Sequence, residues 1–240
     1  MIDRELLKGA AAEFSVEVDD RLAERLDVYA VLLVEWNQKM NLTAITEPTD
    51  LVIKHFVDSL SAAKMLPDGE FSLIDVGTGA GFPGVPLALY REDCHLTLLD
   101  SLQKRLTFLE TLCRELGLPV TCIHARAEEG GRRAELREQF DVATARAVAS
   151  LPVLCEYCLP YVKKGGRFIA LKGPDAENEV KSAQNALSLL GGRVKEVCPL
   201  ILPPDAAGER GQRRLVVIDK CAPTPAKFPR PTAKMAKNPL

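Results

Sequence analysis

The sequence predicts an α/β protein, a mainly parallel sheet with helices on both faces, preceded by a helical extension. Three observations carry this. From residue 71 onward, short β-rich apolar runs alternate strictly with helical stretches, the order that crossover-connected parallel strands require. The chain before residue 67 shows helical periodicity only. The first strand then runs straight into Gly77-Thr78-Gly79-Ala80-Gly81, a turn of the kind found where a sheet's carboxyl edge meets a ligand.

Residues 2–14 and 19–40 read as helices, and in the second Leu22, Leu26, Tyr29, Leu33 and Trp36 recur as one apolar stripe. Pro48 stands near the first turn of a third helix, with Leu51, Phe56, Leu60 and Ala63 on its buried side. Strands are expected over 71–76, 95–99, 120–124, 140–144, 166–171, 193–200 and 213–219. Helices are expected over 83–91, 102–116, 130–138, 149–160 and 175–190. Turn signals such as Gly117-Leu118-Pro119 and Lys163-Lys164-Gly165-Gly166 separate them. The division is a helical extension over 1–66, an α/β domain over 67–220, and a basic tail over 221–240 that reads as irregular.

Composition narrows the class. Hydrophobic residues make up 47% and charged residues 27%, as in ordinary globular proteins, so a disordered chain is not expected. No apolar run reaches the roughly 18 residues that span a bilayer, and Met1-Ile2-Asp3-Arg4-Glu5 does not begin a secretory signal, so a cytoplasmic protein is expected. Seven scattered cysteines read as reduced thiols, and Cys155-Glu156-Tyr157-Cys158, without a second ligand pair for zinc, reads as part of a core helix. No metal is expected. Charge is uneven: residues 210–240 carry eight Lys/Arg against one acid, Asp219, while residues 1–209 are net −9. That tail suits a local anionic partner, or serves only as a solubilising end.

The glycine spacing discriminates among cofactors. A dinucleotide fingerprint would put a third glycine at 82, where this chain has Phe82, and no Gly-Lys-Ser/Thr phosphate loop occurs. Asp75 two residues before Gly77, with glycines at 77, 79 and 81, resembles the first motif of class I, Rossmann-like methyltransferases. The resemblance implies S-adenosylmethionine as cofactor, Asp75 ordering the loop, and the backbone around Gly77, Gly79 and Phe82 holding its methionine part. Asp100 ends the second strand, where a carboxylate can accept both ribose hydroxyls; capping the helix over 102–116 is the alternative. In Ile123-His124-Ala125-Arg126-Ala127-Glu128, the resemblance to class I enzymes implies that Ala127 and Glu128 meet the adenine, and His124 is read as structural.

The acceptor is read from the residues after the fourth strand. The (Asn/Asp)-Pro-Pro-(Tyr/Phe) loop of exocyclic-amine methylation is replaced by Ala145-Arg146-Ala147-Val148, and the Pro-Cys pair of carbon-5 pyrimidine methylation is absent. Guanine N7 needs neither covalent help nor a base, only orientation. Together, Trp36-Asn37-Gln38-Lys39-Met40-Asn41-Leu42-Thr43, Lys54-His55-Phe56-Val57-Asp58-Ser59, the Asp75–Pro86 loop, Leu98-Leu99-Asp100-Ser101, Ala145-Arg146-Ala147, Leu171-Lys172-Gly173 and Gly208-Glu209-Arg210 resemble the bacterial 16S rRNA guanine-N7 methyltransferase family (RsmG or GidB) over roughly residues 30–240. The resemblance implies a seven-stranded sheet with an antiparallel last strand, methylation of the guanine at position 527 of 16S rRNA, and cofactor contact by Gly77, Phe82, Ala127, Glu128 and Arg146. Gly211-Gln212-Arg213-Arg214 departs from the family pattern after Gly-Glu-Arg, which bears on the geometry of that segment.

Among the polar candidates, Arg146 can bind the cofactor carboxylate or an RNA phosphate, and Lys172 ends the next strand with a similar claim; ion pairing is the alternative for each. Arg210, Arg213, Arg214, Lys227 and Arg230 are read as phosphate contacts that position RNA. His55 and Asp58, three apart on a helix, either bind RNA or brace the cofactor loop near the site mouth, or form a local hydrogen-bonded pair, and Asn41 and Thr43 either turn the chain or touch RNA. No acid or base is assigned, and a monomer acting on 16S rRNA or the small ribosomal particle is expected.

Overall fold

The structure, a computed structural model, describes residues 1–240. Two helices open it, α1 (Arg4–Ala12) and α2 (Asp20–Met40), each with an aspartate at its N-cap: Asp3 accepts from the N–H groups of Glu5 and Leu6, Asp19 from that of Leu22. Asn41 closes α2 in the left-handed conformation at φ 49°. The expected third helix is present but not as a regular α-helix. Short α turns, α3 (Pro48–Asp50) and α4 (Asp58–Leu60), flank a π-helical stretch, Leu51–Val57. Such stretches often mark functional sites.

Seven strands follow: β1 (Phe71–Val76), β2 (Cys94–Asp100), β3 (Val120–His124), β4 (Phe140–Arg146), β5 (Val162–Lys172), β6 (Gly192–Pro204) and β7 (Arg210–Lys220). Their order is β3-β2-β1-β4-β5-β7-β6, with β7 antiparallel to both neighbours and the other four pairings parallel. The order reverses between β1 and β4, so a crevice opens beyond their carboxyl ends. The intervening helices are α5 (Gly84–Tyr90), α6 (Gln103–Glu115), α7 (Ala127–Gly130), α8 (Leu151–Cys158), α9 (Ala176–Ser182) and α10 (Gln184–Leu190).

Two of these depart from expectation. The helix expected over 130–138 is replaced by the short α7 and a run of turns. Gly130, the last residue of α7, lies too close to the Tyr161 hydroxyl and Leu99 to carry a side chain. The helix expected over 175–190 divides at Ala183, whose N–H is shared between the carbonyls of Glu179 and Val180.

Side chains alternate across the sheet with the two-residue period of a strand. Phe71 and Leu73 join a core with Leu26, Leu33, Phe56 and Phe108, whereas Ile74 and Val76 join one with Leu154, Leu187, Val216 and Phe228. The helical extension therefore shares its core with one face of the sheet.

The tail read as irregular is docked on the other face and ends in a helix, α11 (Thr232–Lys237). Phe228 and Met235 are buried. Arg230 grips Glu156 of α8 with two parallel bonds, Nε to Oε1 at 2.8 Å and Nη2 to Oε2 at 2.7 Å, and its own N–H donates to Oε1 at 2.7 Å. Glu156 is 1% exposed. Arg230, expected at an RNA phosphate, here anchors the tail to α8. Breaking a buried pair by removing one partner costs about 3–5 kcal/mol. Glu156→Ala is therefore expected to lower the unfolding midpoint and to speed tryptic cleavage after Lys227; an unchanged digestion rate would contradict the anchoring role.

Candidate active site

The turn after β1 is shaped by its glycines. Gly77, Gly79 and Gly81 all have positive φ, at 70°, 61° and 103°. A side chain at Gly81 would collide with the Tyr29 hydroxyl and Leu109. Beneath the turn, Asp75 is wholly buried: its Oδ2 accepts from the Thr78 hydroxyl at 2.7 Å and the Gly84 N–H at 3.0 Å, while Oδ1 has no partner. Burial pushes this carboxyl up to about 6, against the pull of those two hydrogen bonds.

Asp100 reaches the turn from the end of β2. Its Oδ2 accepts from the Gly79 N–H at 3.0 Å and from Arg105 at 3.2 Å, and its Oδ1 accepts from the Leu102 N–H at 2.9 Å. It thus ties down the glycine turn and forms the turn that leads into α6, whose N-cap is Leu102 and carries no side-chain cap.

The mouth is built from aromatic rings and one arginine. Phe82 stacks with Tyr29 at 5.1 Å between centroids and with His55 at 4.3 Å. The Tyr29 hydroxyl donates to the Ala80 carbonyl at 2.5 Å. The Arg146 guanidinium sits 5.0 Å from the centre of the Phe82 ring, a cation–π distance. Its Nη1 donates to Asp58 Oδ2 at 2.7 Å and to the Lys54 carbonyl at 3.1 Å, and its Nη2 donates to His55 Nδ1 at 3.1 Å. Arg213 approaches the other oxygen of Asp58 at 3.1 Å. His55 and Asp58 do not pair with each other. The helical segment that carries them holds both against Arg146.

This arrangement fixes the histidine. A guanidinium can only donate, so Nδ1 of His55 is the acceptor and Nε2 carries the proton. Burial, reinforced by the facing Arg146, pushes His55 down to about 3. The ring is neutral in the folded state but titrates near 6.5 when unfolded, so its stabilisation is fully present above about pH 6.5 and drains as pH falls toward 3. His55→Gln is expected to flatten the pH dependence of unfolding by up to about 1.4 kcal/mol per pH unit across that window. Parallel profiles for the two proteins would contradict it.

All seven residues expected at the cofactor (Gly77, Gly79, Phe82, Asp100, Ala127, Glu128 and Arg146) line one cavity of about 510 Å³ beyond the β1 and β4 ends. That volume is in the range of small-molecule and cofactor pockets. The chemistry of its lining suits an adenosyl group: a buried acid for a diol, the segment Arg126-Ala127-Glu128 for a base, and apolar Val76 and Leu99. Sequence reasoning missed Tyr29 as a site residue, having read it only as part of an apolar stripe, and missed Tyr157 and Thr232. The last two join across the rim at 3.1 Å, so the docked tail supplies part of the cavity wall.

The expected RNA residues lie apart from the cavity, Arg146 excepted. Lys172 pairs with Glu179 at 2.8 Å and holds the Ala149 carbonyl at 2.9 Å. Arg210 pairs with Glu13, Arg213 with Asp58 and Arg214 with Glu177. Lys227 packs over the Phe228 ring and has no acidic partner. Arg213 and Arg214, in the segment that departs from the family pattern, lie within regular β7. The thiols of Cys155 and Cys158 are buried, and burial pushes both far up, as unreactive core cysteines. No helix is long and apolar enough to cross a membrane.

A seven-stranded sheet in this order, with a glycine turn after β1 and a buried acid at the end of β2, defines the class I, Rossmann-like methyltransferase fold. Solved structures agree on the fold: a methyltransferase from Pyrococcus furiosus superposes with a TM-score of 0.54 at 16% identity, covering 83% of this chain and 100% of that one. M. jannaschii TYW2 in complex with AdoMet superposes with a TM-score of 0.52 at 14% identity, over 68% of this chain and 76% of that one. The sequence goes further. The family model for rRNA small subunit methyltransferase G (GidB) matches residues 22–202, and the chain belongs to that family. The ribosomal RNA small subunit methyltransferase G of Alkaliphilus metalliredigens is 48% identical over 243 residues, covering 100% of both chains. That of Acetivibrio thermocellus is 46% identical over 238 residues, covering 99% of this chain and 96% of its own.

Proposed function

We propose that this protein transfers a methyl group from S-adenosylmethionine to N7 of the guanine at position 527 of 16S rRNA, acting in the cytoplasm as a monomer on the small ribosomal subunit. The observation that carries the reading is the near-half identity over the full length to proteins named for ribosomal small-subunit methylation. The cofactor supplies an electrophilic methyl on a sulfonium. The chain's part is to hold the cofactor and aim the acceptor at it.

For cofactor binding, Asp100 takes the ribose hydroxyls, the backbone from Ala127 to Glu128 takes the adenine, and the turn at Gly77 and Gly79 takes the methionine end, with Phe82 and Arg146 beside it. Chemistry at N7 is consistent with the one histidine of the cavity. His55 has its free lone pair occupied by Arg146 and its proton on the other nitrogen, so it cannot act as a base. N7 has a free lone pair and requires none; orientation is what the site must provide.

For RNA, Lys172, Arg210, Arg213 and Arg214 form a basic edge near the carboxyl end of β5 and the start of β7, and Lys227 adds a free charge on the tail. These residues position phosphates without reading bases. Each ion-paired member gives up its carboxylate for a phosphate, so their contribution is modest individually.

The test uses labelled S-adenosylmethionine and small subunits that lack this methyl group. Label is expected in the 16S RNA, with kcat/KM falling by about tenfold or more between roughly 50 and 200 mM salt as counterions compete for phosphates. Transfer insensitive to salt, or transfer only to small molecules, would overturn the RNA reading.

A further inference from the structure

The hydrogen bonds around Thr43 leave one proton without a place. The segment after α2 is pinned by the left-handed Asn41, and the Thr43 N–H donates to Asn37 Oδ1 at 2.9 Å. The Thr43 hydroxyl oxygen lies 2.9 Å from His55 Nε2 and 3.0 Å from the Ile45 N–H. Arg146 occupies Nδ1 of the same ring, so Nε2 is the protonated nitrogen and donates. Both lone pairs of the hydroxyl are therefore filled, one by His55 and one by Ile45. Its own proton has no acceptor within the protein. Thr43 lines the cavity together with Leu42, His55, Phe82 and Arg146.

The hydroxyl is thereby turned into a donor only. A free threonine hydroxyl rotates to suit either a donor or an acceptor, but this one has lost its accepting capacity to the relay from Asp58 through Arg146 and His55. A donor-only group on the cavity wall can tell purines apart. Guanine carries an acceptor, O6, next to N7, while adenine carries an N6–H₂ donor next to an otherwise similar N7.

We propose that the Thr43 hydroxyl donates to O6 of the target guanine and selects guanine over adenine, with His55 and Arg146 as the positioning residues that hold it in the donating state. This rests on the guanine-N7 reading above. A site built to donate to a carbonyl oxygen leaves its proton facing another donor when adenine arrives, and an unpaired polar group in a desolvated site discriminates strongly.

The test compares wild type, Thr43→Val and Thr43→Ser on unmethylated small subunits carrying guanine, adenine or 2-aminopurine at the target position. Thr43→Val is expected to lose about tenfold in kcat/KM on guanine while keeping S-adenosylhomocysteine affinity, and to narrow the guanine-to-adenine preference by a similar factor. Thr43→Ser, which keeps the hydroxyl, is expected to restore both. With wild-type enzyme alone, 2-aminopurine, which retains N7 but lacks O6, is expected to react about tenfold more slowly than guanine, a comparison that does not depend on any variant folding. Full rate on 2-aminopurine would overturn the proposal. So would parallel loss of S-adenosylhomocysteine affinity and activity in Thr43→Val, which would assign the hydroxyl to the cofactor, or failure of Thr43→Ser to rescue, which would assign the residue to packing. Wild-type enzyme inactive on guanine itself would overturn this proposal and the function reading together.

Discussion

Arg146→Ala is expected to reduce kcat/KM by at least about 100-fold and to cost about 3 kcal/mol of stability, because the side chain closes a buried ion pair and orders the site mouth at once. Asp58, 3% exposed, would lose its 2.7 Å partner and keep only Arg213. His55 would lose the donor at Nδ1 that fixes its tautomer, and with it the relay to Thr43 would lose its direction. Phe82 would lose the cation over its ring. Arg146→Lys separates these effects. An ammonium can satisfy Asp58 but cannot also reach Lys54 and His55 in the fixed fork of a guanidinium. The lysine variant is thus expected to keep most of its thermal stability and still lose about tenfold or more in turnover. Steady-state kinetics on small subunits, read beside thermal unfolding, check both; a lysine variant as active as wild type would remove Arg146 from the site's working parts.

Asp100→Ala is expected to weaken S-adenosylhomocysteine binding by about 30-fold or more, the cost of deleting hydrogen bonds to a charged acceptor. The structure sharpens how Asp100 would bind a ribose. Three donors already reach it, from Gly79, Leu102 and Arg105, and a carboxylate has about four acceptor positions. Gly79 and Leu102 are backbone groups, so Arg105, at 3.2 Å, is the partner that yields to a second hydroxyl. Arg105→Ala is therefore expected to leave cofactor affinity unchanged or improve it, in contrast to Asp100→Ala. Calorimetric titration of both variants distinguishes them, and a loss at Arg105 equal to that at Asp100 would contradict this picture of the diol site.

The sheet and the cofactor end of the site were legible because both are written locally. The strands of the α/β region announce themselves by short apolar runs between turn signals, and the donor side of the cavity is assembled from strand ends that each carry a short motif. What the local pattern hid were features held by partners far along the chain. The tail reads as irregular because nothing near residue 230 shows that Arg230 meets Glu156, 74 positions away. The π-helical stretch at Leu51–Val57 keeps the apolar pattern of a helix, and its widened turns show only in three dimensions. Tyr29 carries the same periodic signal as its leucine neighbours, although its hydroxyl supports the glycine turn. The run over 131–138 keeps a helical sequence pattern yet folds as turns, next to a Gly130 that packs against Tyr161, 31 residues away. The basic residues of β7 were visible as charges, but the acids that pair with them, Glu13, Asp58 and Glu177, come from three separate segments.

The central claim is that this cavity delivers a methyl group to a single guanine N7. Small subunits lacking the modification, incubated with the protein and S-adenosylmethionine and then cleaved chemically at 7-methylguanine, test it directly. One new cleavage is predicted, at position 527 of 16S rRNA, dependent on both enzyme and cofactor. Methyl transfer without cleavage there, or cleavage at another guanine, would contradict it.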